Sequence, residues 1–181
     1  EHSPRQRFWT IRAKHIILGT GSLERHIAFN NNDVPGMMTA NAAKHYLNRY
    51  GVLPGQEIVI STNNDSVYAT ANELRKAGSK VHIIDARNTI SQDFMESTKR
   101  SGIEVSLGTA PFNINGRKKI DSLDVAEHDG QKYNKVNQIK CDLVLLSGGW
   151  SPAVHLLSHR GVRPIWDPVN LCFLPNKIEE P

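Results

Sequence analysis

Residues 62 to 67, Thr-Asn-Asn-Asp-Ser-Val, stand between a β-branched run, Ile58-Val59-Ile60, and an amphipathic stretch from Asp65 to Ala77. A phosphate-binding loop belongs in this strand-turn-helix context. Such a loop uses glycine three times: for the tight turn, for close approach of the pyrophosphate, and for packing helix on strand. With Asp65-Ser66 laid on the polar pair before the third glycine, those positions hold Thr62, Asn64 and Val67. Asparagine tolerates a left-handed backbone, so a turn can still form. A Cβ at 64 and an isopropyl group at 67 nevertheless crowd a pyrophosphate, and Asp65 already places negative charge at the helix N-terminus. Asp85 lies 23 residues after Thr62, where a ribose-binding acid would end the second strand. The plainer reading of Asp85 is a solvated strand-end carboxylate beside Arg87. Thr62, Asn63, Asn64, Asp65 and Asp85 are therefore the first candidate nucleotide contacts.

Two further glycine-bearing turns fall at strand ends, Gly19-Thr20-Gly21 and Gly148-Gly149-Trp150. Glycines there let a ligand approach the backbone closely. Trp150 follows the Gly-Gly pair and is placed to flank a ligand or a partner subunit. Other chemistry is weaker. His155 and His159 share a helical spacing but lack the glutamate and third ligand of a zinc site. Ser22, Ser61, Ser66 and Ser147 lack the G-x-S-x-G context of a nucleophile. No catalytic residue and no metal site is assigned.

The elements that must position these turns follow from periodicity. "FWTIRAKHIILGTG" reads as two short strands, the second over His15 to Leu18, and "SLERHIAFNNNDVPGMM" as a loop. Thr39 caps a helix over Ala40 to Tyr50, with Gly51 at its C-terminal stop. Ile58–Ile60, a helix over 66 to 77, and Val81–Ile84 form a βαβ unit, with Val67, Ala71, Leu74 and Ala77 on one helical face. A helix over Gln92 to Arg100 and the strand "IEVSLGT" follow. Residues 111 to 140, with turns at "NGRKK" and "HDGQKYN", read as a β-meander, and "CDLVLLSGGW" as a last buried strand. The expected fold is α/β: a Rossmann-like open parallel sheet with helices on both faces and an antiparallel β-meander flap. Three regions are expected, a crossover segment over 1–55, a Rossmann-like nucleotide-binding-type domain over 56–150, and a return segment over 151–181.

Composition bounds the rest. The chain has 181 residues, 39% hydrophobic and 22% charged, with a net charge of +4, which suits a globular domain with a real core. The basic knot Arg117, Lys118 and Lys119 reads as a solvated hairpin turn, and no aromatic interleaving supports stacking on bases, so no nucleic acid is expected. Two distant cysteines, Cys141 and Cys172, exclude a disulfide framework and a CxxC pair and suit a reducing, cytoplasmic compartment. No run has the length of a membrane helix. The opening "EHSPRQRFWTIRAK" reads as a piece of a longer protein.

"IILGTGSLERHIAF" resembles the segment that returns the chain from the first to the second nucleotide-binding domain in flavoproteins with two such domains. "NNDVPGMMTANAAKHYLNRYGVLPGQEIVISTNNDSVYATANELRKAG", "IIDAR" and "DLVLLSGGWSPAVHL" more specifically resemble the alpha subunit of heterotetrameric sarcosine oxidase, over about Ile11 to Trp166. The resemblance implies a complex that oxidatively demethylates sarcosine to glycine, makes hydrogen peroxide and passes a one-carbon unit to tetrahydrofolate. It implies FAD or FMN in the complex, a non-redox NAD in the alpha subunit, and beta, gamma and delta subunits as partners. Gly19, Thr20 and Gly21 then border the adenosine part of the cofactor, while Thr62 to Asp65 match a remodelled second turn.

Two other readings stay open. One is an NAD(P)H-dependent flavin reductase, or an amine or opine oxidase subunit of the same superfamily, which the missing glycines disfavour. The other is a non-catalytic Rossmann-like interaction module in which Asn63, Asn64 and Trp150 face protein.

Overall fold

The computed structural model describes residues 5–128 and 133–176. Its elements in chain order begin with β1 (Ser22–Glu24), β2 (Met37–Thr39), α1 (Ala40–Tyr50), β3 (Glu57–Thr62), α2 (Val67–Lys76) and β4 (Lys80–Asp85). They continue with α3 (Gln92–Ser101), β5 (Glu104–Leu107), β6 (Thr109–Gly116), β7 (Ile120–His128), β8 (Tyr133–Lys140) and β9 (Leu143–Ser147). The chain closes with β10 (Trp150–Pro152), α4 (His155–Ser158), β11 (Ile165–Asp167) and β12 (Cys172–Leu174).

Five parallel strands form the central sheet in the order β2-β9-β3-β4-β5. Strand alternation sends Ile58 and Ile60 to one face and Val59 to the other. Both faces are covered, which is why the run has no polar member. On the first face Ile58, Ile60, Val81, Ile83 and Leu145 pack against α1 and α2 through Ala40, Ala43, Val67, Ala71 and Leu74, with Phe94 of α3 alongside. On the second, Val59, Ile84, Val144 and Leu146 pack against Ile114, Ile120, Leu123 and Val125 of the meander.

The open parallel sheet and the antiparallel flap are as the patterning implies, but the covering differs. All three long helices lie on one face, and the three-stranded sheet β6-β7-β8 covers the other. The reason is local: β5 passes through Gly108, at φ +59°, straight into β6, so no crossover helix follows. The apolar second face must still leave water, and alternating residues of β7 cover it.

Helix signals hold closely. Thr39 Oγ1 accepts the Ala42 amide at 3.2 Å, and Gly51 ends α1 in the left-handed region at φ 65°. Helix α2 stops at Lys76, so Ala77 lies beyond it and is exposed instead of joining Val67, Ala71 and Leu74.

The strands expected over 8–18 do not form; Ile16 is 70% and Ile17 96% exposed. A strand needs a neighbour to complete its ladder, and no described strand pairs with this segment. Conversely, the loop expected over 22–38 contains β1 and β2. Met37–Thr39 becomes a strand because β9 offers it a parallel edge, a tertiary effect that local propensity does not carry. The "NGRKK" turn joins β6 to β7. Residues 129–132 of "HDGQKYN" lie outside the described residues.

Candidate functional site

The three glycine-bearing or asparagine-bearing turns meet at the carboxyl edge of the parallel sheet. Strand β1, which follows Gly19-Thr20-Gly21, pairs antiparallel with β10, which begins at Trp150. Thr20 Oγ1 donates to the Ala153 carbonyl at 2.9 Å, and the Ala153 amide donates to the Gly21 carbonyl at 3.0 Å. Beside this crossover lies an open cleft of about 420 Å³ lined in part by Ser22, Arg25, Asn63, Asn64, Gly149 and Trp150. Gly19, Thr20 and Gly21 are exposed outside it.

The turn at 62–67 is built from side chains. No residue in it has a positive φ, so the left-handed asparagine that the sequence allows is not used. Instead, the Asn64 amide nitrogen Nδ2 donates to the Ser147 carbonyl at 3.0 Å, and Asn64 Oδ1 accepts the Ser66 backbone amide at 3.1 Å and the Ser66 hydroxyl at 2.6 Å. Thr62 Oγ1 accepts the Asn64 amide at 3.1 Å. Trp150 Nε1 donates to Ser66 Oγ at 3.1 Å. One asparagine thus ties the end of β3, the start of α2 and the end of β9 together, doing with hydrogen bonds what glycines do with backbone freedom.

That arrangement does not fit a pyrophosphate. The Ser66 amide, which would face an anion, is committed to Asn64, and Val67 is fully buried at the position of the third glycine. Asp65 points its carboxylate to Arg87 Nη1 at 2.7 Å.

Asp85 ends β4 as expected but is neither solvated nor free. It is fully buried, and its Oδ1 accepts the Arg87 amide at 2.9 Å and Nε at 3.0 Å. Its Oδ2 accepts Arg87 Nη2 at 2.8 Å and the Tyr68 hydroxyl at 2.8 Å. Hydrogen bonds to Asp85, ahead of those to Asp65, hold the Arg87 guanidinium charged, above its ordinary range. Burial, then the hydrogen bond to Asp85, pushes the Tyr68 hydroxyl well above its usual value. Tyr68 also stacks on Phe94 with ring centroids 4.8 Å apart. Arg87 was legible as a neighbour of Asp85, two residues on, whereas periodicity could not mark Tyr68 as its partner, because that contact crosses from helix to strand.

Gly148 and Gly149 lie close against Arg25 of the same chain. The Arg25 and Gly149 backbones pair, with Arg25 N donating to the Gly149 carbonyl at 2.9 Å. At Gly149, φ is +99° and an added Cβ would run into the Arg25 guanidinium. Arg25 in turn donates to the carbonyls of Leu171 at 2.7 Å and Asn170 at 3.1 Å. Among the described residues no group of three or more His, Cys, Asp and Glu is arranged to hold a metal ion.

A parallel sheet whose carboxyl edge meets an antiparallel two-strand crossover, with a modified phosphate turn beneath it, is the architecture of a dinucleotide-binding-type domain. The chain belongs to the pyridine nucleotide-disulphide oxidoreductase family, whose description matches residues 4–165. It is 37% identical over 175 residues to the sarcosine oxidase subunit alpha of Corynebacterium sp. strain P-1, covering 95% of this chain and 18% of that protein. It is 38% identical over 174 residues to the sarcosine oxidase subunit alpha of Rhizobium meliloti, covering 96% of this chain and 17% of that protein. The chain therefore spans under a fifth of the length of these curated relatives. Among solved structures, the thioredoxin reductase of T. acidophilum superposes with a TM-score of 0.65 at 16% identity, covering 81% of this chain and 47% of that one. The Lactobacillus brevis water-forming NADH oxidase bound to NADH superposes with a TM-score of 0.56 at 18% identity, covering 81% and 32%. These likenesses show the fold.

Proposed function

We propose that this chain is the second nucleotide-binding-type domain, with its crossover segments, of a sarcosine oxidase alpha subunit. Residues 1–55 and 151–181 are the outward and return crossovers, and 56–150 the Rossmann-like domain. The complex oxidises sarcosine to glycine with oxygen as acceptor, releases hydrogen peroxide and hands a one-carbon unit to tetrahydrofolate. Flavin (FAD or FMN) carries that oxidation elsewhere in the complex. This domain supports a non-redox NAD from the side of Gly19, Thr20 and Gly21 and offers surface to the other subunits, in the cytoplasm. The observation that carries the reading is the linked pair of turns, Asn64 on Ser147 and Trp150 on Ser66. The "TNNDS" and "SGGW" segments resemble those of sarcosine oxidase alpha subunits, and here they form one hydrogen-bonded unit.

The test is purification of the full-length protein with its co-expressed partners, nucleotide extraction, and a sarcosine-dependent peroxide assay. The expected result is tightly held NAD together with flavin and peroxide formed on sarcosine. A preparation holding neither NAD nor sarcosine activity overturns the reading. NADH reducing a bound flavin would put the flavin reductase in its place, a reading that the glycine-free turn counts against.

A further inference from the structure

We infer that Arg87 is a built-in occupant of the position where a domain of this shape takes the ribose of a pyridine nucleotide, so that the turn at 62–67 refuses NADH and NADPH alike. The inference stands on the geometry of β3, α2 and β4 and does not depend on the sarcosine reading.

A ribose is held by a carboxylate free to accept from its hydroxyls. Asp85 has four acceptor sites, and all four are filled: two by Arg87 side-chain nitrogens, one by the Arg87 amide and one by Tyr68. Ribose hydroxyls are neutral. Replacing the guanidinium with them leaves a buried carboxylate without its counter-charge, which binding cannot offset cheaply. An arginine just past this strand can elsewhere accept the 2′-phosphate of NADPH. Here its third nitrogen is taken by Asp65 at 2.7 Å, and two carboxylates flank one guanidinium. A phosphate would have to displace an anion already seated there. The neighbouring pyrophosphate position is closed by a separate device, Asn64 on the Ser66 amide under the Trp150 indole. The same contacts bolt the start of α2 to the end of β4, so a role lost to a ligand becomes a role in stability.

Two measurements on the full-length protein test this. Irradiation with an 8-azidoadenosine analogue of NAD, followed by peptide mapping, is expected to leave residues 61–87 without adduct. An adduct within 61–87 that NADH competes away overturns the inference, wherever else label is found. Arg87→Ala is expected to lower the Tm by about 10 °C, because it strands Asp85, against little change for Lys76→Ala at the exposed end of α2. An Arg87→Ala protein melting with the parent also overturns it. Should Arg87→Ala not accumulate, Arg87→Lys keeps the charge and loses the two-nitrogen fork. It is expected to melt roughly half as far below the parent, and an unchanged Tm is again fatal to the idea.

Discussion

Asn64 reaches across the carboxyl edge of the sheet to Ser147, donating to its carbonyl at 3.0 Å and contacting its hydroxyl at 3.2 Å. Two turns 83 residues apart are thereby one structure. Asn64→Ala removes the donor to Ser147 and the acceptor of the Ser66 amide together. A loss of about 2 kcal/mol in stability by urea denaturation is expected, with Asn64→Asp losing more because a carboxylate would then face a carbonyl. Asn64→Gly, which restores a glycine of the usual fingerprint, is expected to destabilise as well. An unchanged midpoint for all three would show that the hydrogen bonds are incidental.

Tyr68 is a second point of attack on the same edge. Its hydroxyl is buried and serves only Asp85 among the hydrogen bonds described. Tyr68→Phe keeps the stacking on Phe94 and deletes one acceptor's partner, so a cost of about 1–2 kcal/mol is expected. Tyr68→Ala also opens a cavity and is expected to cost about 3–5 kcal/mol. Equal effects of the two variants would mean that the hydroxyl, and not the ring, carries the site.

Gly149→Ala is expected to destabilise by about 1–3 kcal/mol, since it meets both an unfavourable backbone region and the Arg25 guanidinium. Arg25→Ala in the same chain should relieve the collision and leave only the backbone cost. A double-mutant cycle reads the coupling directly.

His82 makes stability depend on pH. Burial lowers its pKa from the ordinary value, partly opposed by Glu104 and assisted by Lys80. The folded ring therefore binds a proton less readily than the unfolded chain does, so stability is complete above about pH 6.5 and is lost as the pH falls from there through the lower pKa of the folded ring. Its Nε2 lies 2.8 Å from Ser106 Oγ. Thermal melts from pH 8 to pH 5 should show this slope, and His82→Gln should flatten it. A parallel slope in His82→Gln assigns the effect to other groups.

Neither thiol is expected to react with a maleimide in the native protein. Cys141 and Cys172 are both buried, and burial pushes the Cys141 thiol up to about 12. Labelling of both should appear only with unfolding, and rapid native labelling would contradict their packing.

Much of this was legible in the chain itself. The strand Ile58-Val59-Ile60, the cap at Thr39 and the stop at Gly51 are local signals, and each produced its element. The pairing of β2 with β9 was not legible, because Met37–Thr39 is extended only through a partner more than a hundred residues away. Asp85 illustrates the same limit at the site. Its position at the strand end could be counted, but not its hydrogen bond from Tyr68, which reaches it from α2. The turn at 62–67 was read correctly as lacking glycines. How it closes was missed, because an asparagine that bonds to its neighbours and one that bends the backbone look alike in a sequence.

The strand order has a consequence for how the chain is made. β9 lies between β2 and β3, yet it is synthesised after the whole meander. Strands β3, β4 and β5 can pair as they emerge, each with a near neighbour in sequence, whereas β2 has no partner until β9 arrives. A nascent chain therefore carries an unfilled slot in its sheet, with Met37, Met38 and the edge of β3 uncovered, until residues 143–147 leave the ribosome. Closing that gap joins segments of high sequence separation, the slow class of folding event. An open strand edge with apolar surface is prone to aggregate for as long as that gap stays open.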